Sequence, residues 1–203
     1  ITVVSCFCMS CLLNVYQPFM KIWVHKKELI FDYPAVICFS VYFFIVEINT
    51  LLNNYKDAAG MWHEDRFRPL ATALANLTLN LIMVQHMGLF GVVLSTVISK
   101  LFVGIPWLIN NLFTVIFDHK YKKNFLQRML FYVIVTFVGC LGTFVICNLF
   151  DGNVVSTFVV RLLICMILPN IIFIMCYFKL PEFKQSMNLI ATVTKGKIPF
   201  LNH

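Results

Sequence analysis

Residues 129–150 read MLFYVIVTFVGCLGTFVICNLF, a run of 22 residues without a charged side chain. A helix needs about 20 apolar residues to cross a hydrocarbon core roughly 30 Å thick, and this run is long enough. Two further runs, 92–117 and 154–178, contain one charge each, Lys100 and Arg161. Helices of soluble proteins keep a polar face for water. The runs therefore predict a polytopic membrane protein.

Three more apolar segments complete the predicted spans. The chain is 60% hydrophobic and 12% charged, and its charges lie mostly between the apolar runs. Backbone polar groups must be paired inside a bilayer, and the runs lack the two-residue alternation of a barrel strand. We therefore predict an all-α bundle over residues 1–178, followed by a tail over 179–203. The six predicted spans are 1–20, 34–57, 69–87, 92–117, 129–150 and 154–178.

Prolines mark the ends and bends of these spans. Pro34 and Pro69 fall near helix starts, where a missing N–H is tolerated. Pro18, Pro106 and Pro169 fall within spans or near their ends, where proline is expected to kink or terminate a helix.

Lysine and arginine are unevenly distributed between the predicted loops. With six spans, segments 56–68, 118–128 and 179–203 share one side and carry eleven basic residues, whereas the other side has three, Lys21, Lys26 and Lys27. Because basic loops stay in the cytoplasm, we expect a cytoplasmic C-terminus. The net charge of +7 is then explained by membrane topology, and no nucleic-acid partner is expected.

The two ends of the chain carry separate expectations. The chain opens on Ile1, already apolar and without a basic flank, so we expect that residues upstream are missing. In the tail, Phe183, Met187 and Ile190 fall on one helical stripe, which predicts a short helix in the inner interface.

Cysteine and histidine give little sign of metal or acid–base chemistry. His63, Glu64 and Asp65 are adjacent, so their side chains diverge, and a solvated loop is the favoured interpretation. A phosphate-binding glycine loop and a nucleophile elbow are both lacking, so we predict no enzyme and no cofactor. The eight cysteines lie in apolar spans without metal-ligand spacing, as small hydrophobic filler: Cys6, Cys8, Cys11, Cys38, Cys140, Cys147, Cys165 and Cys176.

Three ionisable residues lie inside the predicted spans. Each costs about 2.5–3.5 kcal/mol at the centre of a helix unless it faces protein or water. Lys100 and Glu47 fall near the middle of their spans, where they predict either a lined cavity or a structural ion pair. Arg161 is seven residues into its span, so it is either a cavity residue or an anchor that reaches the outer interface.

Polar residues form stripes on three consecutive predicted helices. One explanation is a hydrated path between helices, and the alternative is polar glue between packed helices. The stripes are Glu47, Thr50, Asn54 and Asp57 on the second span, Thr72, Asn76 and Asn80 on the third, and Ser95, Ser99 and Asn110 on the fourth, beside Lys100.

The loop AAGMWHEDRFRPL, residues 58–70, resembles a recurring stretch of Wzx-type polysaccharide flippases. In that family a small-residue turn, an aromatic, an acidic-basic pair and an aromatic-Arg-Pro join two spans. Three more segments resemble the family: 18–23 (PFMKIW), 88–92 (GLFGV), and Pro169-Asn170 with 182–184 (EFK). The resemblance covers nearly the whole chain, as the last six of twelve to fourteen spans.

The resemblance implies an exporter of the multidrug/oligosaccharidyl-lipid/polysaccharide superfamily, which works by alternating access. Its substrate would be an undecaprenyl-pyrophosphate-linked oligosaccharide, moved to the outer leaflet of a bacterial cytoplasmic membrane for O-antigen or capsule biosynthesis. Candidate partners are membrane lipids, the N-terminal bundle of the same protein and the polymerase and chain-length machinery. The candidate substrate-cavity residues are Lys100, Arg161, Glu47, Asn54, Asn76, Asn80 and Ser99.

Other classes remain open from the sequence alone. A cation-coupled small-molecule exporter of the same superfamily would be expected to have an acidic, aromatic cavity. A membrane-bound polymerase or acyltransferase would need long outer loops, and the two later outer turns are only a few residues long. A non-catalytic membrane subunit is the remaining alternative.

Overall fold

The computed structural model describes residues 2–24, 30–150, 152–178 and Gln185. This part of the chain is helical throughout, with short connecting turns and no strand. The predicted tail helix lies outside the described residues. The helices are α1 (Thr2–Trp23), α2 (Tyr33–Ala58), α3 (Phe67–Ser99), a π-helical turn (Lys100–Gly104), α4 (Ile105–Val115), α5 (His119–Asn148) and α6 (Val154–Tyr177).

The predicted all-α membrane bundle is confirmed. By length and composition, five helices of the described chain could cross a membrane: Val3–Trp23, Tyr33–Ala58, Phe67–Val115, His119–Asn148 and Val154–Tyr177. The chain is therefore a multi-pass membrane protein. One predicted boundary is wrong: α5 begins at His119, so the basic segment 118–128 is the first part of a helix and not a loop.

The 49-residue span folds back on itself at Gly88. The Ser95 hydroxyl donates to Asn76 Oδ1 at 3.2 Å, although 19 residues of straight helix would separate them by about 28 Å. Gly88 has φ 56° and ψ −135°, which is outside the helical region and accessible mainly to glycine. Residues 67–87 and 89–115 are therefore two antiparallel legs of one candidate span, and each leg is long enough to cross a hydrocarbon core.

The second leg contains the π-helical turn at Lys100–Gly104. Pro106 follows at the start of α4. Its nitrogen carries no hydrogen to donate to the Phe102 carbonyl, and its ring would clash with that carbonyl in a regular helix. The Ile105 N–H bonds to Lys100 O, five residues back, which is the wider π spacing. Pro18 and Pro169 lie inside α1 and α6, so neither ends its helix.

The helices pack as two groups. Helices α1, α5 and α6 pack against one another around a core that includes Cys6, Cys140 and Phe173. Helix α2 packs with α3 and α4 around Leu52, Leu108 and Leu112. Helix α1 also contacts α2, and so links the two groups.

Candidate functional site

The strongest polar site in the described chain is a buried ion cluster, made by Lys56, Asp65 and Arg68 with the amides of Asn53 and Asn111. Its centre is Asp65, which is 2% exposed. Arg68 Nε donates to Asp65 Oδ1 at 2.7 Å, and Arg68 Nη2 donates to Oδ2 at 2.7 Å, a bidentate pair. Such paired bonds fix geometry as well as charge.

Three further groups complete the ion cluster. Lys56 Nζ lies 3.7 Å from Asp65 Oδ2, Asn111 Nδ2 donates to Asp65 Oδ1 at 3.1 Å, and Arg68 Nη2 donates to Asn53 Oδ1 at 2.9 Å. The ion cluster thus joins α2, the loop after it, the start of α3, and α4. It fastens one end of the helix group formed by α2, α3 and α4.

The local sequence explains why the loop enters the protein. Helix α2 ends in a Schellman motif, in which Gly60 N–H bonds to Asp57 O and Met61 N–H bonds to Lys56 O, both at 3.1 Å. Gly60 has the positive φ of 67° that this motif needs. Met61, directly after it, is buried in the core around Leu52. This anchor turns Asp65 toward α2 and α4.

The solvated-loop interpretation of residues 63–65 is therefore wrong for Asp65. His63 and Glu64 are exposed, as expected, and His63 Nε2 lies 3.1 Å from Arg66 Nη1. Asp65 is buried because its carboxylate finds two cations and an amide, and a buried charge is tolerated only with such partners. The spacing of three residues between Asp65 and Arg68 was a sequence signal for their ion pair. The contact with Asn111 had no such signal, because Asn111 is 46 residues away in the sequence.

Trp62 lies over Lys56 at the exposed side of the ion cluster. It is 65% exposed, and Lys56 Nζ lies 4.6 Å from its ring centroid. Tryptophan is enriched at membrane–water interfaces, and a cation over its face is attracted to the ring. The site therefore lies where a helix end meets the membrane surface.

Lys100 and Glu47 do not form the ion pair that the sequence left open. Among the described residues, Lys56, Asp57, Asp65 and Arg68 form ion pairs within 4 Å, and neither Lys100 nor Glu47 takes part in one. Lys100 and Glu47 are both half-buried. Lys100 is also the first residue of the π-helical turn, and such turns are frequent at functional sites.

The predicted polar stripes separate into different roles. Asn76 Oδ1 accepts from Ser95 and Thr96, at 3.2 and 3.3 Å, so Asn76 joins the two legs of the hairpin at Gly88. Ser99 is buried and donates to Thr96 O in its own helix at 3.1 Å. For these residues the polar-glue explanation is favoured.

The remaining predicted cavity residues are Asn54, Asn80 and Arg161. Asn54 is exposed on α2, while Asn80 is half-buried and its Oδ1 has no hydrogen-bond partner. Arg161 Nη2 donates to Asn148 Oδ1 at 3.4 Å, and its Nε is buried without a partner. Because Asn148 ends α5, Arg161 lies toward the predicted outer side.

Two cysteines that are far apart in the sequence, Cys6 and Cys140, lie next to each other in the structure. Cys6 Sγ lies 3.8 Å from Cys140 Sγ, and Ser10 Oγ lies 3.5 Å from Cys140 Sγ, where α1 meets α5. Gly139 allows this approach, since a Cβ there would lie 3.2 Å from Cys6 Sγ. Among the described residues, no group of three or more His, Cys, Asp or Glu side chains is arranged to hold a metal ion.

The arrangement can do two things chemically. The ion cluster can fasten four segments at one membrane surface, and the half-buried Lys100 and Arg161 can offer positive charge to an anion within the bundle. No protein-family model matches this chain, and no curated protein or solved structure matches it either.

Proposed function

We propose that this chain is part of a membrane transporter that moves an undecaprenyl-pyrophosphate-linked oligosaccharide across a bacterial cytoplasmic membrane for surface polysaccharide biosynthesis. The buried ion cluster is the observation that carries the proposal. Two of its members, Asp65 and Arg68, lie in residues 58–70, the segment with the most specific resemblance to Wzx-type flippases. Asp65 of the acidic-basic pair and Arg68 of the aromatic-Arg-Pro element together tie three helices, which gives these two motif residues a physical reason to recur.

The charges inside the bundle suit this substrate. Lys100 and Arg161 have no carboxylate within ion-pair distance in the described chain, and a pyrophosphate would supply the missing negative charge. The half-buried Asn80, whose Oδ1 has no hydrogen-bond partner in the described chain, would accept a hydrogen bond from a sugar hydroxyl. The C-terminus belongs in the cytoplasm in this proposal, together with the ion cluster.

Deletion of the gene in its own host tests the proposal. We expect loss of surface polysaccharide and accumulation of lipid-linked repeat units in the inner leaflet, measured by glycan staining and by mass spectrometry of extracted lipids. Unchanged surface polysaccharide would refute the proposal and favour a small-molecule exporter. Loss of polysaccharide without accumulated lipid-linked units would also contradict it, because synthesis and not transport would then have failed.

Lys100 gives the residue-level test. In the complemented strain, Lys100→Ala should leave membrane abundance near normal but lower polysaccharide export several-fold, with Lys100→Arg retaining part of it. Glu47→Gln and the double variant are the controls for a structural pair. If Lys100→Ala loses abundance and adding Glu47→Gln restores it, Lys100 is a structural partner and not a substrate contact.

A further inference from the structure

The start of α5 presents an exposed basic face. A shallow depression of about 460 Å³ lies along this face, and the residues that line it are His119, Lys122, Lys123, Leu126, Gln127 and Leu130. All six are exposed except Lys122, which is half-buried. Because they recur at intervals of three and four residues, they share one side of the helix. Among the described residues, α5 alone lines the depression, so this face is open to the surroundings of the protein.

Positive charge is concentrated where this face begins. Lys122 Nζ donates to Asn110 Oδ1 at 2.9 Å, which ties the start of α5 to α4, and its ammonium group has two more N–H donors. Lys123 is exposed beside it, and His119 is exposed one turn earlier. Asp118, the nearest acidic residue in the sequence, does not line the depression. The beginning of the face therefore offers positive charge to an anion.

The face becomes apolar farther along the helix. Leu126 is 40% exposed and Leu130 is 59% exposed, and they lie one turn apart on the same side of α5. Leu130 belongs to the run over residues 129–150, which has no charged side chain. A run of that length spans the hydrocarbon core of a bilayer. The face therefore joins a cationic beginning to an apolar continuation.

The spacing of these groups along α5 matches the layers of a bilayer. Helix α5 has 30 residues, or about 45 Å, so it is long enough to extend beyond the hydrocarbon core. Lys122 and Lys123 lie about one turn before Leu126, which is about 5 Å along the helix axis. The headgroup layer adds roughly 5–7 Å on each side of the hydrocarbon core. With Leu126 at the edge of that core, both lysines lie at the level of the headgroups.

We propose that this face of α5 binds one anionic phospholipid of the leaflet at this end of the bundle. The lipid's phosphate would lie at Lys123, with Lys122 and His119 beside it, and one acyl chain would lie along Leu126 and Leu130. Basic residues next to a membrane span attract anionic headgroups, whereas a zwitterionic lipid has no net charge for them to attract. Free phosphate would gain nothing from the two leucines. This assignment does not depend on the proposed transport function.

Photocrosslinking in nanodiscs of equal phosphatidylglycerol and phosphatidylcholine tests the site, with trace amounts of either lipid carrying a diazirine in one acyl chain. We expect the phosphatidylglycerol probe to label residues 124–130 several-fold more than the phosphatidylcholine probe, measured by mass spectrometry of peptides. Lys123→Gln should lower this excess about fivefold, which corresponds to about 1 kcal/mol per basic residue near an anionic surface. Lys120→Gln is the matched control: it removes a lysine of the same turn that does not line the depression, and the excess should remain.

Four results would overturn the proposal. Equal labelling by the two probes would show that the face does not select an anionic lipid. An equal loss in Lys120→Gln and Lys123→Gln would reduce the effect to general attraction by the basic end of the bundle. Loss of labelling on addition of inorganic phosphate at constant ionic strength would make free phosphate the occupant. Absence of labelling by either probe would show that protein, and not lipid, covers this face.

Discussion

At the scale of single residues, the ion cluster depends most on Asp65. Its carboxylate is buried at the meeting point of two cations and one amide that come from three different helices. Replacing a buried pair by apolar residues can be neutral, but removing one partner leaves the other charges without compensation. Asp65 should therefore matter more to stability than any exposed acidic residue of the same loop.

Asp65→Asn is expected to destabilise the protein by about 3–5 kcal/mol, because Arg68 and Lys56 lose their shared carboxylate while staying buried. The measurement is thermal unfolding of the purified protein in detergent, together with its abundance in membranes. Glu64→Gln is the matched control: its side chain is exposed, so a change within about 0.5 kcal/mol is expected. Equal stability of the two variants would mean that the ion cluster does not hold the loop.

At the scale of helices and turns, the hairpin at Gly88 depends on close approach between its legs. Gly91 is buried, and a Cβ added there would lie 2.5 Å from the Met83 carbonyl oxygen, which is backbone and cannot move aside easily. Farther from the turn, Gly104 faces Thr72 at ordinary contact distance. The tightest packing of the two legs is therefore next to the turn.

Gly91→Ala is expected to destabilise the protein by roughly 1–3 kcal/mol, the usual cost of overpacking a core. Gly142→Ala is the control, because a Cβ at Gly142 meets only Ile172 Cδ1 at 3.9 Å, and alanine is the better helix former by up to about 1 kcal/mol. Thermal unfolding in detergent compares the two variants. A Gly91→Ala protein as stable as Gly142→Ala would show that the legs are farther apart near Gly88 than described.

At the scale of the whole molecule, the exposed surface is that of a protein in lipid. Large apolar side chains are exposed along every long helix, and examples are Leu81, Phe102, Leu130 and Met175. Soluble monomers rarely expose continuous apolar surface of this extent. The basic residues collect at the end of the bundle where α2 ends and α5 begins, which predicts the cytoplasmic side.

Labelling with a membrane-impermeant thiol reagent tests this orientation in a cysteine-free variant. Lys123→Cys, at the exposed start of α5, should be labelled only after the membrane is permeabilised. Asn153→Cys, in the turn before α6, should be labelled in intact cells. Ready labelling of position 123 from outside intact cells would reverse the predicted topology.

The sequence by itself determined the parts of this protein that depend on local composition. Apolar runs of about 20 residues specify membrane helices, because the bilayer sets one required length and forbids unpaired backbone groups. The turn at Gly88 was also predictable, since a glycine there interrupts two such runs. The start of α5 was not, because the basic stretch 118–128 is polar and helical at the same time, and hydropathy measures only the first property.

Tertiary structure alone decided which polar residues have partners. Asp65 accepts a hydrogen bond from Asn111, which is 46 positions away in the sequence. Asn76 accepts hydrogen bonds from Ser95 and Thr96 across the hairpin. Lys100 and Glu47 form no ion pair with each other. Burial and pairing are set by long-range packing, and neither hydropathy nor helical spacing contains the distances between helices.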